Sequence, residues 1–187
     1  MRIDDVIYFA PGIRAIDLDF NNREQILEGF KNRIYSYYLL PAEKLNVQEF
    51  AFASGVILMA TIDAITYYSI GGNNRIKDFM FQCKILDGMP EDRKRLVVKA
   101  FDDYFRNGLI HEGRIKNGCQ FSYEYGFVYF DDTFLVINPK MLYNEVTEYF
   151  QNYLDTLSKH TGAFTQFYQK FYRQYYPEIQ SIKRQNT

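Results

Sequence analysis

Apolar residues recur at helical spacing along most of this chain, and this pattern limits the folds that it can adopt. Apolar side chains at i, i+3, i+4 and i+7 are typical of amphipathic helices. Five stretches show this spacing: Ile26, Phe30, Ile34 and Tyr37; Ile76, Phe79, Met80 and Cys83; Val97, Ala100, Phe101, Tyr104 and Phe105; Leu142, Val146, Tyr149, Phe150, Tyr153 and Leu157; and Phe164, Phe167, Tyr168, Phe171, Tyr172 and Tyr175. A sixth, from Asn46 to Ile70, is apolar nearly all round and predicts a central buried helix. The sequence therefore predicts a mainly α fold, a bundle of about six helices.

Three regions depart from the helical pattern. Residues 1–20 mix apolar and charged positions around Pro11-Gly12, which predicts a strand-like or irregular lead-in. Apolar and polar residues alternate within 120–137, which predicts an inserted β-hairpin. Near the end of the chain, Pro177 is expected to break the last helix and leave a frayed tail over residues 178–187. Because no linker or repeat divides the chain, we expect a single domain over residues 1–187.

The charge balance limits how this protein can contact a polyanion. It has 22 basic and 23 acidic residues among 187, a formal net charge of -1. No global positive field therefore attracts nucleic acid, and any RNA binding must be local. The 17 Tyr and 17 Phe residues fit either a surface on which bases stack or broad, half-exposed helix faces.

Cysteine usage and hydropathy bear on the compartment. Cys83 and Cys119 lie far apart without Cys-x-x-Cys spacing, and no secretory signal precedes them, so we expect reduced thiols in a cytoplasmic protein. The longest largely apolar run, Phe50 to Ile62, is shorter than the ~20 residues that a bilayer span needs. We therefore expect no membrane anchor.

One segment carries residues suited to phosphodiester chemistry. His111 is one of only two histidines, and Asn107 stands four residues before it on the same helix face. Arg106 lies about 140° around the axis from His111 in a regular helix, and a long guanidinium or a break at Gly108 would bring them together. An imidazole can move the proton of a ribose 2'-hydroxyl or of the leaving oxygen, while a guanidinium can hold the phosphorane charge. The alternative is a helix-end Arg beside a His that a backbone carbonyl satisfies.

The segment Tyr104 to Glu112 resembles the signature of the HEPN superfamily: an Arg, a polar residue that is often Asn, a few further residues and a His. The match covers one helix and the general helical order of the chain. The resemblance implies a helical bundle that dimerises so that two motifs face each other across a cleft. It also implies a metal-independent endoribonuclease, a toxin or phage-defence effector, that leaves a 2',3'-cyclic phosphate. Arg106 matches the phosphate-binding Arg, Asn107 the polar partner and His111 the catalytic His, but the superfamily also has members that only bind or scaffold.

The resemblance also bears on partners and cofactors. HEPN toxins paired with nucleotidyltransferase antitoxins commonly carry a Tyr two residues after the His, and this chain has Gly113 there. Regulation by modification of that Tyr is therefore not expected, although an antitoxin or another defence protein remains a candidate partner beside RNA and a second copy of the chain. We expect no metal and no other cofactor, because no Cys or second His stands at ligand spacing from His111.

Four neighbouring residues extend the predicted site. Arg114 and Lys116 follow the motif and either contact an RNA backbone or form a solvated charge pair. Asp63, inside the apolar second helix, either tunes the site by pairing with Arg106 or forms a structural hydrogen bond. Asp103 lies one turn before the motif, where it is a candidate to orient Arg106 or Asn107.

Overall fold

The structure is a computed structural model that describes residues 2–3, 6–126, 128–131 and 134–185. Helices account for 71% of the residues, which confirms the predicted mainly α fold. The α-helices are α1 (Arg23–Ile34), α2 (Leu40–Val47), α3 (Ala51–Ser69), α4 (Arg75–Gln82), α5 (Glu91–Ala100), α6 (Asn107–Glu112), α7 (Pro139–Lys159) and α8 (Thr161–Gln185). Short π-helical turns, Tyr35–Leu39 and Phe101–Arg106, join α1 to α2 and α5 to α6. In the described residues the α-helices thus form six continuous stretches.

The chain divides into two structural units, and the two chain ends belong to the same one. The first unit comprises Met1–Leu40 and Phe150–Thr187, and the second comprises Pro41–Tyr149. The second unit contains α2 from its second residue, α3 to α6 and the start of α7, and it also contains every residue of the predicted site.

In the first unit, a small sheet covers part of an aromatic core. Its strands β1 (Arg2–Ile3), β2 (Val6–Ala10) and β3 (Ile13–Arg14) pair antiparallel, so the lead-in is strand-like. Phe30 of α1 contacts the rings of Phe167 and Phe171 of α8, and all three are buried. These aromatic residues of α8 form core packing, as the helical spacing predicts.

The helix α8 does not end at Pro177, and the prediction of a break there was wrong. The α-helix continues to Gln185, with Pro177 inside it. A proline removes one hydrogen bond of the helical ladder and crowds the preceding turn. The buried side chains of Ile179 and Ile182 offset that cost, because they anchor the two turns that follow. Of the expected frayed tail, only Asn186 and Thr187 lie outside the described residues.

The first predicted helix also continues beyond its expected end before Pro41. The backbone N–H of Leu40 bonds to the carbonyl of Tyr35, five residues earlier, which marks the π-helical turn. This wider turn accommodates Pro41. A proline has no N–H to donate, and its ring clashes with the preceding turn of a regular α-helix. A proline signal thus failed twice as a helix stop in this chain.

In the second unit, a three-stranded sheet with the order β4-β6-β5 lies beside the helices. Strands β5 (Val128–Phe130) and β6 (Leu135–Ile137) pair antiparallel and form the predicted hairpin. The alternating pattern that predicted the first strand is not one continuous strand: its start forms β4 (Gln120–Phe121), which pairs parallel with β6, and its end lies in β5. Residues 123–126 form bends, and the Tyr123 hydroxyl donates to Asn46 Oδ1 instead of following the strand pattern. Phe127, Asp132 and Thr133 lie outside the described residues.

Of the described helices, only α3 is long and apolar enough to cross a membrane. Half of that stretch is buried inside the fold. Its buried side includes Gly55, where an added Cβ would lie 2.2 Å from ring atoms of Phe121. The Phe121 ring therefore packs directly on the α3 backbone, and it also contacts Phe105 just before the motif.

Candidate functional site

A π-helical turn precedes the Arg-Asn motif and sets the direction of its side chains. The Asn107 N–H bonds to the carbonyl of Asp102, five residues earlier instead of four. Phe101 and Phe105 are fully buried in this turn, and their rings are stacked at 5.6 Å. The helix then continues as α6 without a break at Gly108. The sequence left open an irregularity at Gly108, and the structure has it in the π-helical turn that ends at Arg106.

Arg106 contacts both its neighbour and the α3 helix. Its Nη1 donates to Asn107 Oδ1 at 2.8 Å, and its Nη2 lies 3.9 Å from Asp63 Oδ1. The guanidinium is half-buried, and its Nε has no hydrogen-bond partner among the described residues. The contact with Asp63, one of the two roles considered for that half-buried acid, is therefore present as a loose ion pair.

A second arginine that the sequence did not single out binds the same carboxylate. Arg75 opens α4, and its Nη2 donates to Asp63 Oδ1 at 2.9 Å while its Nη1 donates to the carbonyl of Gly72. Its Nε is also buried without a partner in the described part of the chain. We call Asp63, Arg75 and Arg106 the Asp63 cluster. It joins α3, α4 and the π-helical turn through one carboxylate oxygen and carries one net positive charge.

His111 is exposed on α6, four residues after Asn107. It makes no hydrogen bond or ion pair with another described residue, in contrast to a His that a backbone carbonyl satisfies. Asn107 thus lies between the guanidinium that it binds and the imidazole one turn further along α6. The imidazole is open to solvent and to a ligand, and no direct contact links it to Arg106.

The basic pair after the motif is bound to an acid. Glu112 accepts from Arg114 at 2.8 Å and from Lys116 at 2.5 Å, and these contacts, led by the Lys116 hydrogen bond, lower the pKa of the Glu112 carboxyl. Gly113 has a φ of 66°, in the left-handed region that ends many helices. A Tyr at this position would be strained.

The loop after α6 folds back onto it. The Arg114 N–H bonds to the Gly108 carbonyl, and the Lys116 N–H bonds to the Tyr104 carbonyl. A Cβ at Gly108 would lie 2.4 Å from the Arg114 carbonyl oxygen, so only glycine permits this approach. Gly108 therefore holds the basic pair close to the motif.

Asp103 does not contact the motif, so the predicted orienting role is not supported by its contacts. Its carboxylate binds Lys99 at 2.5 Å, one turn earlier on the same side of the helix. The adjacent Asp102 pairs with Lys77 of α4 at 3.3 Å. Consecutive helical side chains diverge by about 100°, so the two adjacent acids bind different basic residues.

Metal-ligating and thiol groups do not assemble near the motif. Among the described residues, no group of three or more His, Cys, Asp and Glu could hold a metal ion. Cys83 and Cys119 are free and buried, and burial raises the pKa of both thiols. Thiolate chemistry at neutral pH is therefore disfavoured at both positions.

Comparison with known proteins does not assign the chain to a family. No protein-family model, no curated protein and no solved structure matches it. The functional argument therefore depends on the residues and their geometry.

Proposed function

We propose that this protein is a metal-independent endoribonuclease of the HEPN type, active as a homodimer in the cytoplasm. Its role would be that of a toxin or phage-defence effector, with an antitoxin or another defence protein as a candidate partner. The observation that carries the proposal is the Arg106–Asn107 hydrogen bond at 2.8 Å, one helical turn before an exposed imidazole. This arrangement puts a guanidinium, an amide and an imidazole along one short helical segment.

The proposed reaction is a transesterification followed by product release. The ribose 2'-oxygen attacks the adjacent phosphorus, and the bond from phosphorus to the 5'-oxygen of the next nucleotide breaks. The products are a 2',3'-cyclic phosphate and a 5'-hydroxyl. His111 would take the 2'-hydroxyl proton or give one to the leaving 5'-oxygen, and Arg106 would stabilise the charge on the phosphorane oxygens. Asn107 would orient Arg106 through the hydrogen bond that it accepts.

The number of proton transfers supports the proposed homodimer. The reaction moves one proton from the 2'-hydroxyl and one to the leaving oxygen, while each chain offers a single histidine at this site. Two copies of the motif facing each other would supply two imidazoles. One would act as base and the other as acid.

An exposed apolar stripe on α3 supports the same assembly. Phe52, Val56 and Tyr67 are exposed, and their spacing puts them within about 60° of each other around the helix. Asp63 of the Asp63 cluster lies on the same stripe. A second copy packed on this stripe would cover apolar surface and bring two candidate sites together.

A second candidate function is a non-catalytic module that binds RNA, a nucleotide or a protein through the same residues. The exposed basic residue Arg114 and its neighbour Lys116 favour it, because they follow the motif directly and do not require His111 to react. Both functions predict that a ligand binds near α6, and only the first predicts RNA cleavage.

Cleavage of a mixed single-stranded RNA in EDTA separates the two functions. We expect the wild-type protein to cut the RNA and His111→Ala to lose at least about 100-fold of that activity, the usual contribution of a general acid or base. The matched control is His160→Ala, because His160 is the only other histidine and is also exposed. It should keep full activity.

Circular dichroism of each variant should show an intact fold. Products with a 2',3'-cyclic phosphate end would support the proposed reaction. Equal activity of wild type and His111→Ala, or no cleavage by either at high protein concentration, would contradict it and favour the binding module.

A further inference from the structure

The Asp63 cluster has more hydrogen-bond donors than acceptors. Each guanidinium carries five N–H donors. Arg75 uses its Nη1 and Nη2 on Gly72 and Asp63, and Arg106 uses only its Nη1 on Asn107, counting described partners. The Nε of both arginines is buried without an acceptor. Because buried donors favour an acceptor, the cluster is suited to receive more oxygen atoms.

One oxygen atom already lies within reach of both guanidinium groups. Asp63 Oδ1 is 2.9 Å from Arg75 Nη2 and 3.9 Å from Arg106 Nη2. That oxygen marks a position at which an anion interacts with both cations. The side chain of Asp63 is 32% exposed, so a ligand can approach the cluster from solvent.

The charge of the cluster matches one phosphodiester group. Two guanidinium groups and one carboxylate leave a single net positive charge, and a phosphodiester carries a single negative charge on two oxygen atoms. Planar guanidinium groups bind such oxygen pairs with two parallel hydrogen bonds. A lysine at either position would offer charge without this fork.

We propose that Arg75 is a second phosphate-binding residue, which together with Arg106 binds one phosphodiester group of an RNA strand. Asp63 is the positioning residue that holds the two guanidinium groups near each other. This inference rests on the proposed function, in which Arg106 alone was assigned to the phosphate. It adds a residue from α4 to a site that the motif builds from α6 and the turn before it.

A purely structural role for Arg75 makes a different prediction. Its bond to the Gly72 carbonyl closes the turn between α3 and α4, where Gly71 and Gly72 both have positive φ. Loss of that role would lower stability without changing how RNA binding depends on salt. The salt dependence of binding counts the phosphate contacts and therefore separates the two roles.

The test is binding of a fluorescent, 2'-O-methylated RNA oligonucleotide, which lacks the attacking hydroxyl, measured by anisotropy over a series of NaCl concentrations. We expect Arg75→Gln to bind more weakly and to reduce the slope of log affinity against log salt by about 0.7, the value for one phosphate contact on a single strand. The matched control is Arg95→Gln, because Arg95 is an exposed arginine of the same unit that pairs with Glu91. It should match wild type.

A folded Arg75→Gln variant with wild-type affinity and slope would overturn the inference, as would a wild-type protein that does not bind the methylated strand. If Arg75→Gln fails to fold, Arg75→Lys replaces it, since it keeps the charge and loses the fork. We then expect about tenfold weaker binding with an unchanged slope. Wild-type affinity of Arg75→Lys would overturn the inference.

The two proposals fail separately. Binding of the methylated strand that depends on Arg75, with no cleavage of ordinary RNA, would contradict the nuclease and support the phosphate role. Cleavage that depends on His111, with no effect of Arg75→Gln on binding, would support the nuclease and contradict the phosphate role of Arg75.

Discussion

Glu112 pairs with the two cations that follow the motif. Its carboxylate binds Arg114 and Lys116, and it directly follows His111. Under the proposed function, both cations would exchange this carboxylate for a phosphate when they contact RNA. The acid would therefore weaken RNA binding next to the imidazole.

We expect Glu112→Gln to tighten RNA binding by up to about fivefold at low salt, because exposed ion pairs are weak and the variant removes the carboxylate that competes with phosphate. Anisotropy with the methylated oligonucleotide measures the change. Glu91→Gln is the control, since Glu91 also pairs with a basic residue but lies away from the motif in sequence, on α5. Weaker binding by Glu112→Gln would mean that Glu112 orients the cations for RNA instead of competing with it.

Single residues also show which part of the site a sequence can predict. Arg106, Asn107 and His111 are close in the chain, so their spacing on one helix was enough to relate them. Asp63 stood out as an acid in an apolar helix, and a buried acid needs a partner. Arg75 carried no such signal, because its contact with Asp63 depends on how the turn at Gly71 and Gly72 orients α4 against α3. The spacing of residues in the sequence does not predict a contact across a turn of this kind.

Among the elements, the loop of residues 113–118 depends on its close approach to α6. The carbonyl oxygen of Arg114 would lie 2.4 Å from a Cβ atom at position 108. The position of the basic pair is thus coupled to the backbone of the motif helix.

We expect Gly108→Ala to lower the free energy of unfolding by about 1–3 kcal/mol, the cost of inserting a methyl group into a packed site. Chemical denaturation measures this loss. Gly126→Ala is the matched control, because a Cβ at Gly126 meets no atom within 4 Å. A Gly108→Ala variant as stable as wild type would mean that the loop moves away from α6 at little cost.

The regular elements were predictable from sequence to different degrees. Apolar spacing predicted the six helical stretches because a helix in a bundle buries one stripe of side chains. The same stripes did not reveal the π-helical turns at Tyr35–Leu39 and Phe101–Arg106. One extra residue in a turn hardly changes the spacing of the apolar residues, so these still face the core. Proline signals predicted two ends that did not occur, because buried residues such as Ile179 held the helix beyond them.

For the whole molecule, the proposed dimer makes the α3 stripe an interface. Its exposed residues would pack against the same residues of a second copy, as in a twofold symmetric contact. A charged residue introduced at the centre of such a contact is present in both copies, so two charges are buried without a partner.

We expect Phe52→Glu to raise the dimer dissociation constant at least about tenfold, as measured by sedimentation velocity over a concentration series. The glutamate itself suits the first turn of α3, where the helix dipole favours negative charge. Leu96→Glu is the control: Leu96 is 50% exposed on α5, close to the 53% of Phe52. Equal dissociation of both variants, or a monomeric wild type, would contradict the α3 interface.

The π-helical turn before Arg106 has a consequence for tracing the ancestry of this protein. A π-helical turn arises when one residue is inserted into an α-helix, so relatives that diverged before the insertion should carry one residue fewer between Phe101 and Arg106. An alignment that matches the preceding residues without a gap would then pair the Arg of such a relative with Phe105. An alignment of this chain with a relative should therefore permit a one-residue gap between Phe101 and Arg106.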